Sequence, residues 1–509
     1  MRKRATVTAG EVQPLRCKPV EKLEPPATSR GRATASSWRR CKLLAFVLLL
    51  PVLLGSFIYV RNRLHDPQFE TEFLLGAVTD RTARVWVYAA HHSHVLVHYR
   101  PASLGGEVWQ ASAVQRVESA KERHWTLVVD LNELTPNTTY HYRVLFFKSD
   151  PSSAASTSEV HRFRTYPPVG EGARLSFVYG SCIEMGFPWP FDSLEVLSTW
   201  KRLYDPLFAL ILGDIVYADL PFPMPFERAY RKLLTDAHYA RFFKDASRYA
   251  IYDDHELANN WDRGADLPLY RDAMEAYDAF IGSANPELPQ ERPLHEVPFA
   301  ERKRYYSFTV GNVGFFVLDE RPYRSGNYEQ DGPNKTMLGA QQKECLKRWL
   351  VETNDTLAFR FIASPGMFAS VGGPADGWAF FEHEREELFD FMEDRSMRGV
   401  VLLSGDVHWA GAFEHRKGLY EFATSPIHTF PLFPNVLAPN GDNKTRPEAR
   451  TLFTHTWTFH YSVVEIDTEA ERPFVRHTTY AYLLDSNNPY PIHDIKLFID
   501  DVQLSPPPA

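Results

Sequence analysis

Several things are scarce in this chain, and each scarcity removes a class of protein. Four cysteines in 509 residues cannot make a disulfide scaffold. Positive charge is not in excess: 56 Lys and Arg stand against 64 Asp and Glu, a net −8, which argues against a general nucleic-acid binder. No Gly-x-Ser-x-Gly elbow is present, so a serine nucleophile has no seat. No Gly-x-x-x-x-Gly-Lys-Ser/Thr loop is present, which disfavours NTP-driven phosphoryl transfer. No internal repeat is visible. What remains is ordinary globular material. Hydrophobic residues make up 44 % and charged residues 24 %, which excludes wholesale disorder, and 35 Phe, 24 Tyr and 11 Trp supply a large core. The length argues for two or three folded units.

The charge is unevenly placed. Before Leu43 roughly eleven Lys and Arg face three Glu, a balance of about +8. Residues 1–42 are rich in Pro, Ser, Thr and Arg and read as a disordered basic tail. The run Leu43 to Val60, LLAFVLLLPVLLGSFIYV, is uncharged and near the lower limit for a membrane span. Arg39, Arg40 and Lys42 precede it, and the positive excess lies on its N-terminal side. That asymmetry predicts a type II single-pass signal anchor, residues 43–60, with the tail cytosolic and the rest lumenal or extracellular. Cleavage as a signal peptide is the rival reading, and a buried core helix a third. Sequons at Asn137, Asn334, Asn354 and Asn443 all follow the span, so a glycoprotein is expected.

From Phe69 to about Pro167 short alternating strands predominate: Arg84-Val-Trp-Val-Tyr, Val95-Leu-Val-His-Tyr and Trp125-Thr-Leu-Val-Val. Leu134-Thr-Pro-Asn-Thr-Thr-Tyr140 resembles the turn and tyrosine entry of a fibronectin type III sandwich, in which the Tyr hydroxyl ties back to a nearby loop. Pro167 to Gly172 reads as a linker. From 173 to 485 apolar strands alternate with helical stretches, the pattern of an α/β domain. Residues 486–509 are expected as a C-terminal tail.

In the α/β region strands run into polar clusters. These are Gly180-Ser-Cys182, Gly213-Asp214-Ile-Val-Tyr217, Asp253-Asp254-His255-Glu256 with Asn259-Asn260-Trp261, Asp319-Glu-Arg321-Pro-Tyr-Arg324, and Ser404-Gly405-Asp406-Val-His408-Trp409. Open α/β sheets hold ligands beyond the carboxyl ends of their strands, so these clusters are expected to converge. Their donors are those of a metal site. Cys182 and Tyr217 suit a polarising ion such as ferric iron, and Asp253, Asp254 and Asn260 offer hard oxygens for a Ca²⁺-like or Mg²⁺-like ion. Asp214, after a strand and a Gly, suits a carboxylate shared by two metals. Asp406 and His408 are close enough in sequence to face one centre.

Taken in order, these five motifs resemble the PhoD-type alkaline phosphatase/phosphodiesterase family, a branch of the calcineurin-like metallophosphatases. The resemblance covers roughly Phe69 to Asp485 and is weakest around Asp262 to Glu301. It implies an αββα double-sheet catalytic domain preceded by a β-sandwich. It implies Fe³⁺ and Ca²⁺, with Mg, Mn or Zn left open. The metal ligands would be Cys182, Asp214, Tyr217, Asp253, Asp254, Asn260, Asp406 and His408, with either Asp253 or Asp254 binding. The substrate would be a phosphoric ester, either monoester or diester. His255 would protonate the leaving group, and Arg321 and Arg324 would stabilise charge.

The plainer readings stay beside these. Cys182 could pair with Cys345, Tyr217 could be a core aromatic, and Arg321 and Arg324 could be surface ion-pair residues. His91, His92 and His94 look like a metal tract but are expected to be solvated. The alternative function is a non-catalytic membrane glycoprotein, an adhesion or receptor module.

Overall fold

The computed structural model describes residues 72–104, 108–148, 156–185, 194–219, 223–262, 264–287, 294–370, 376–431 and 449–504. The expected basic tail, the anchor at 43–60 and the sequon at Asn443 lie outside them. No helix among the described residues is long and apolar enough to cross a membrane.

The chain first forms two small antiparallel sheets. Glu72–Val78, Ala83–Tyr88 and Thr126–Leu131 make one; His94–Pro101 and Thr139–Phe147 centre the other, with His161–Arg164 beside them. Their alternating side chains meet as a core of Leu74, Val85, Val87, Val97, Val129 and Val144. The backbone N–H of Thr135 donates to the Tyr140 hydroxyl at 2.9 Å, the tie that the Leu134–Tyr140 segment led us to expect. This layer is packed against the rest. The Trp86 indole donates to the Ala279 carbonyl at 2.7 Å, and the Tyr142 hydroxyl to that of Lys244 at 2.6 Å. The hydroxyls of Tyr166 and Tyr249 meet at 2.8 Å.

Two larger sheets then face each other. The six-stranded sheet runs in the order Ser247–Ile251, Phe208–Leu212, Arg174–Gly180, Phe459–Asp467, Phe474–Tyr482 and Tyr490–Phe498. Its first three strands are parallel. The seven-stranded sheet runs Tyr306–Val310, Val313–Val317, Phe359–Ser364, Val400–Ser404, Leu419–Thr424, Ala410–Arg416 and Arg450–His455. The central strands of both are buried on both faces, as continuous apolar runs such as FALIL and VVLLS dictate. Between the sheets, Phe177 stacks on Phe208 at 4.9 Å and Phe315 on Phe361 at 5.0 Å, with Phe177 edge-on to Phe315 at 5.3 Å. On the outer face of the seven-stranded sheet, helix Gly339–Glu352 supplies Leu346 and Leu350, and helix Glu382–Asp394 supplies Leu388, Phe389 and Met392. Trp200 of helix Glu195–Leu203 packs on Tyr461 of the six-stranded sheet at 5.3 Å.

One boundary is corrected. The expected tail 486–509 supplies the edge strand Tyr490–Phe498, paired antiparallel with Phe474–Tyr482, and buries Val502 and Leu504. Pro491, His493, Asp494 and Lys496 hide the strand in the sequence. An edge strand with one wet face tolerates them.

Candidate metal centre

The sequence clusters meet where strands of both sheets end. Parallel strands Arg174–Gly180, Phe208–Leu212 and Ser247–Ile251 deliver Cys182, Asp214 and the 253–256 turn side by side, and Val400–Ser404 brings Asp406 and His408 from the facing sheet. The turns are sharp. Cys182, Asp214, Asn260, Asp406 and His408 all have positive φ, between 51° and 66°. A non-glycine residue held there costs of order 1 kcal/mol or more and needs support from its surroundings. The support is close packing. At Gly213, with φ of 85°, a Cβ would lie 2.5 Å from Asp253 Cβ. At Gly405 a Cβ would lie 2.6 Å from Ser181 Oγ. Both positions therefore require glycine for the strand ends to approach.

Within this pocket three donor sets form. One ligand atom from each of Cys182, Asp214 and His408 lies within 4.8 Å of the other two; so do those of Asp214, Asp254 and His255, and those of Asp253, Asp254 and Asp406. Tyr217 joins the first set: its hydroxyl donates to Asp214 Oδ2 at 3.0 Å and lies 3.0 Å from His408 Nε2. Cys182 Sγ is 3.4 Å from the same Asp214 oxygen. Asp214 thus belongs to two sets. His408 Nδ1–H donates to the Phe430 carbonyl at 2.7 Å, which turns Nε2 toward the cluster, the usual arrangement behind a ligating imidazole. Asn260 donates its backbone N–H to Asp254 Oδ2 at 2.5 Å.

Electrostatics describe a crowd of buried anions. Burial, then Asp214 and Asp406, push the Cys182 thiol up. Burial and Asp254 push Asp214 up, and burial and Asp376 push Asp406 up. Burial and Asp214 hold the Tyr217 phenol up. Burial raises Asp253 to about 6 even with Arg321 against it. Asp254 alone is held low: burial opposes its charge, but His255 and Arg321 outweigh burial. Asp253 Oδ2, Asp254 Oδ1 and Asp406 Oδ2 are buried acceptors with no hydrogen-bond donor. Such oxygens are costly unless a cation meets them, and a cation would reverse the sign of every upward shift here. The donor set fits a metal.

His255 sits beside the cluster. Its Nδ1 meets both carboxylate oxygens of Asp219, at 2.9 and 3.0 Å, and its ring stacks on Tyr217 at 4.1 Å. Burial would lower its pKa, but Asp254, Asp214 and Asp219 together raise it to about 11. Burial and the charge on His255 hold His408 down at about 4.

Other residues are placed differently from the plainer expectations. Arg321 and Arg324 are not surface residues: both are buried. Arg321 pairs with Asp253 and with Asp376 (2.7 Å), and donates to the Trp261 carbonyl at 3.1 Å. Arg324 donates to the carbonyls of Glu320 and Asp376 at 2.8 and 3.0 Å. Cys182 and Cys345 are both free thiols, so the expected alternative of a disulfide is not formed. Cys345 is half-buried on its helix, near Tyr305. His91 is exposed and His94 half-buried, but His92 is buried, correcting its solvated reading. Its Nδ1 bonds the Ala90 carbonyl at 3.0 Å, and its ring packs on Phe146 at 5.5 Å.

Sequence reasoning assigns no role to three residues, of which it names only Glu256, as the last of the 253–256 cluster. Asp219 closes Gly213-Asp214-Ile-Val-Tyr217-Ala-Asp219, and its nearness to the motif was the available signal. Glu256 accepts from the Ile215 N–H at 2.5 Å and the Asp253 N–H at 3.0 Å, clasping two strand ends. Asp376 comes from a distant loop and left no signal.

A model of the PhoD-like phosphatase family matches residues 177–472, which contain every residue of these donor sets. The chain belongs to the PhoD-like phosphatase family. It is 25 % identical over 371 residues to alkaline phosphatase D of Bacillus subtilis (strain 168); the match covers 61 % of this chain and 61 % of that relative's length. The fold is shared with a solved structure of PhoD, at TM-score 0.63 and 17 % identity over 84 % of this chain and 93 % of that one. It is shared also with a purple acid phosphatase from yellow lupin seeds, at TM-score 0.57 and 13 % identity over 84 % and 75 %. Both solved structures lend the PhoD-like assignment its mixed α/β frame.

Proposed function

We propose that this protein is a metal-dependent hydrolase of phosphoric esters whose centre is built from Cys182, Asp214, Tyr217, Asp253, Asp254, Asn260, Asp406 and His408. The observation that carries this reading is the buried cluster of carboxylates, with oxygens lacking any donor, drawn around a thiol, a phenol and an imidazole. Cys182, Tyr217 and His408 around Asp214 suit ferric iron; Asp253, Asp254 and Asp406 suit a hard ion such as calcium. Such ions, when bound, polarise the phosphoryl oxygens and acidify a water. Arg321 holds Asp253 in place through its ion pair, and Glu256 holds the two turns that present Asp214 and Asp253. Asp219 fixes His255 by Nδ1, which leaves Nε2 to carry a proton to the departing alkoxide. Arg324 braces the loop of Asp376 through the Asp376 carbonyl, and with Arg321 it supplies the positive charge that would stabilise the transferring phosphoryl group. The basic head and the apolar run 43–60 support a type II anchor that keeps this centre lumenal or extracellular.

The test pairs two cysteine variants. Purified protein is assayed for bound metal and for release of nitrophenol from a mono- and a diester. Cys182→Ser is expected to lower iron content and turnover together, whereas Cys345→Ser keeps both and loses some stability. Wild-type protein that binds no metal and hydrolyses neither ester would instead favour a non-catalytic glycoprotein.

A further inference from the structure

Asn260 is held through its backbone on both sides. Its N–H donates to Asp254 Oδ2 at 2.5 Å, and its carbonyl accepts from Asn327 Nδ2 at 3.1 Å. Together these bonds support Asn260 at a φ of 55°, a conformation that its surroundings must sustain. They also decide what Asp254 can offer. Its Oδ2 is taken by the Asn260 N–H, while its Oδ1 is buried and meets no hydrogen-bond donor. The Asn260 side-chain amide makes no hydrogen bond among the described residues, so it too is left for an ion.

Asn327 lies outside the five sequence motifs, in a loop built to hold it. The loop, residues 325–336, is closed at its ends. The Ser325 N–H donates to the Thr336 carbonyl at 2.8 Å, and the Thr336 N–H to Ser325 Oγ at 3.1 Å. Closed loops of this size are packed by their own side chains. Here the buried Lys335 donates to the carbonyls of Asn327 and Glu329 at 2.7 and 2.9 Å. The Asn327 N–H donates to Asp262 Oδ2 at 2.7 Å, which fastens the loop to the segment just after Asn260. Asn327 is 3 % exposed, and its Oδ1 accepts a long bond of 3.4 Å from Arg324. Its amide is thus committed to the Asn260 carbonyl.

We infer that Asn327 is a positioning residue for the hard-ion half of the centre, acting through Asn260 on Asp254. None of its bonds reaches Cys182, Tyr217 or His408. This inference rests on the metal-dependent hydrolase reading and separates its two halves. A group behind a ligand fixes that ligand's orientation, and losing one commonly costs roughly 10- to 100-fold in metal affinity.

Metal binding tests this without turnover. Calcium is titrated by calorimetry into the purified full chain after dialysis against a calcium chelator. Iron content, melting and hydrolysis of a nitrophenyl ester are measured on the same samples. Asn327→Asp keeps the size of the side chain but sets an acceptor where Nδ2 donated. It is expected to weaken calcium binding roughly tenfold or more while iron stays at the wild-type level. Asn327→Ala removes the donor without adding charge and should show the same split. Tyr328→Ala, at the exposed next position of the loop, should change neither metal. Unchanged calcium affinity in both Asn327 variants would overturn the inference, and so would an equal loss of calcium and iron. The expected split in a protein that hydrolyses no ester would leave the inference standing and sink the hydrolase reading. A wild type that takes up no calcium would overturn both.

Discussion

The amino-terminal sandwich and the strand ends of the double sheet contain the same polar residue types and use them in opposite ways. In the sandwich, His92 bonds a carbonyl two residues away, His94 Nδ1 meets Ser93 Oγ at 3.0 Å, and His161 meets Asp245 at 3.2 Å. Each of these three imidazoles finds a partner within the protein. At the strand ends, carboxylate oxygens of Asp253, Asp254 and Asp406 are buried with no donor, and five candidate ligands sit in strained backbone. A His-rich tract is thus a poor guide to a metal site. Buried acceptors left unsatisfied, on turns that need support to exist, are a better one.

The contrast is tested most severely at Asp214. If the strand-end anions exist for a cation, Asp214→Asn should remove bound metal and lower turnover on the order of 10³-fold, because two donor sets share that carboxylate. The metal-free protein should lose no thermal stability. Burial and Asp254 already disfavour the Asp214 anion, and a neutral amide relieves that crowding. Metal analysis, turnover and melting after chelation read all three. A variant that keeps metal and turnover would make the crowding merely structural.

The sandwich should give the reverse result. Replacing His91, His92 and His94 together with Ala should leave metal content and turnover unchanged. Stability should fall by about 1–3 kcal/mol, nearly all from His92, which loses its buried contact with Phe146 and its bond to Ala90. The single variant His91→Ala should be silent. A loss of metal in the triple variant would erase the distinction between the two regions.

How much of this was legible beforehand follows from the same physics. The central strands were readable because a strand buried on both faces is a continuous apolar run, as in Phe208–Leu212 and Val400–Ser404. The ligand clusters were readable because they follow those runs directly. Tyr140 was readable because its tie spans only five residues, to Thr135. Asp376 was not, because only folding brings its loop to Arg321. The edge strand Tyr490–Phe498 was missed because one face is wet and its pattern carries Pro and charge. The exposure of Arg321 was misjudged in one reading because a buried guanidinium looks, in sequence, like any surface one.

The smallest effect expected lies where the two regions join. Asp245, at the end of helix Ala237–Asp245, accepts from His161 Nδ1 at 3.2 Å and from the Arg162 N–H at 3.1 Å, both on the sandwich strand His161–Arg164. Burial works against its charge, but the bond from His161 and the Arg162 N–H outweigh burial, and its pKa lies below the ordinary 3.8. A carboxyl whose folded pKa is depressed adds stability that is present above the unfolded value and is lost as pH falls through the folded one. The wild type should therefore exceed Asp245→Asn in stability by a constant margin, about 1 kcal/mol or less, from pH 7 to about 5. The margin should shrink below pH 4, as Asp245 takes up its proton. Denaturation midpoints of the two proteins across this range give the margin directly. A margin that stayed flat down to pH 3 would mean the carboxylate contributes shape and not charge to the joint.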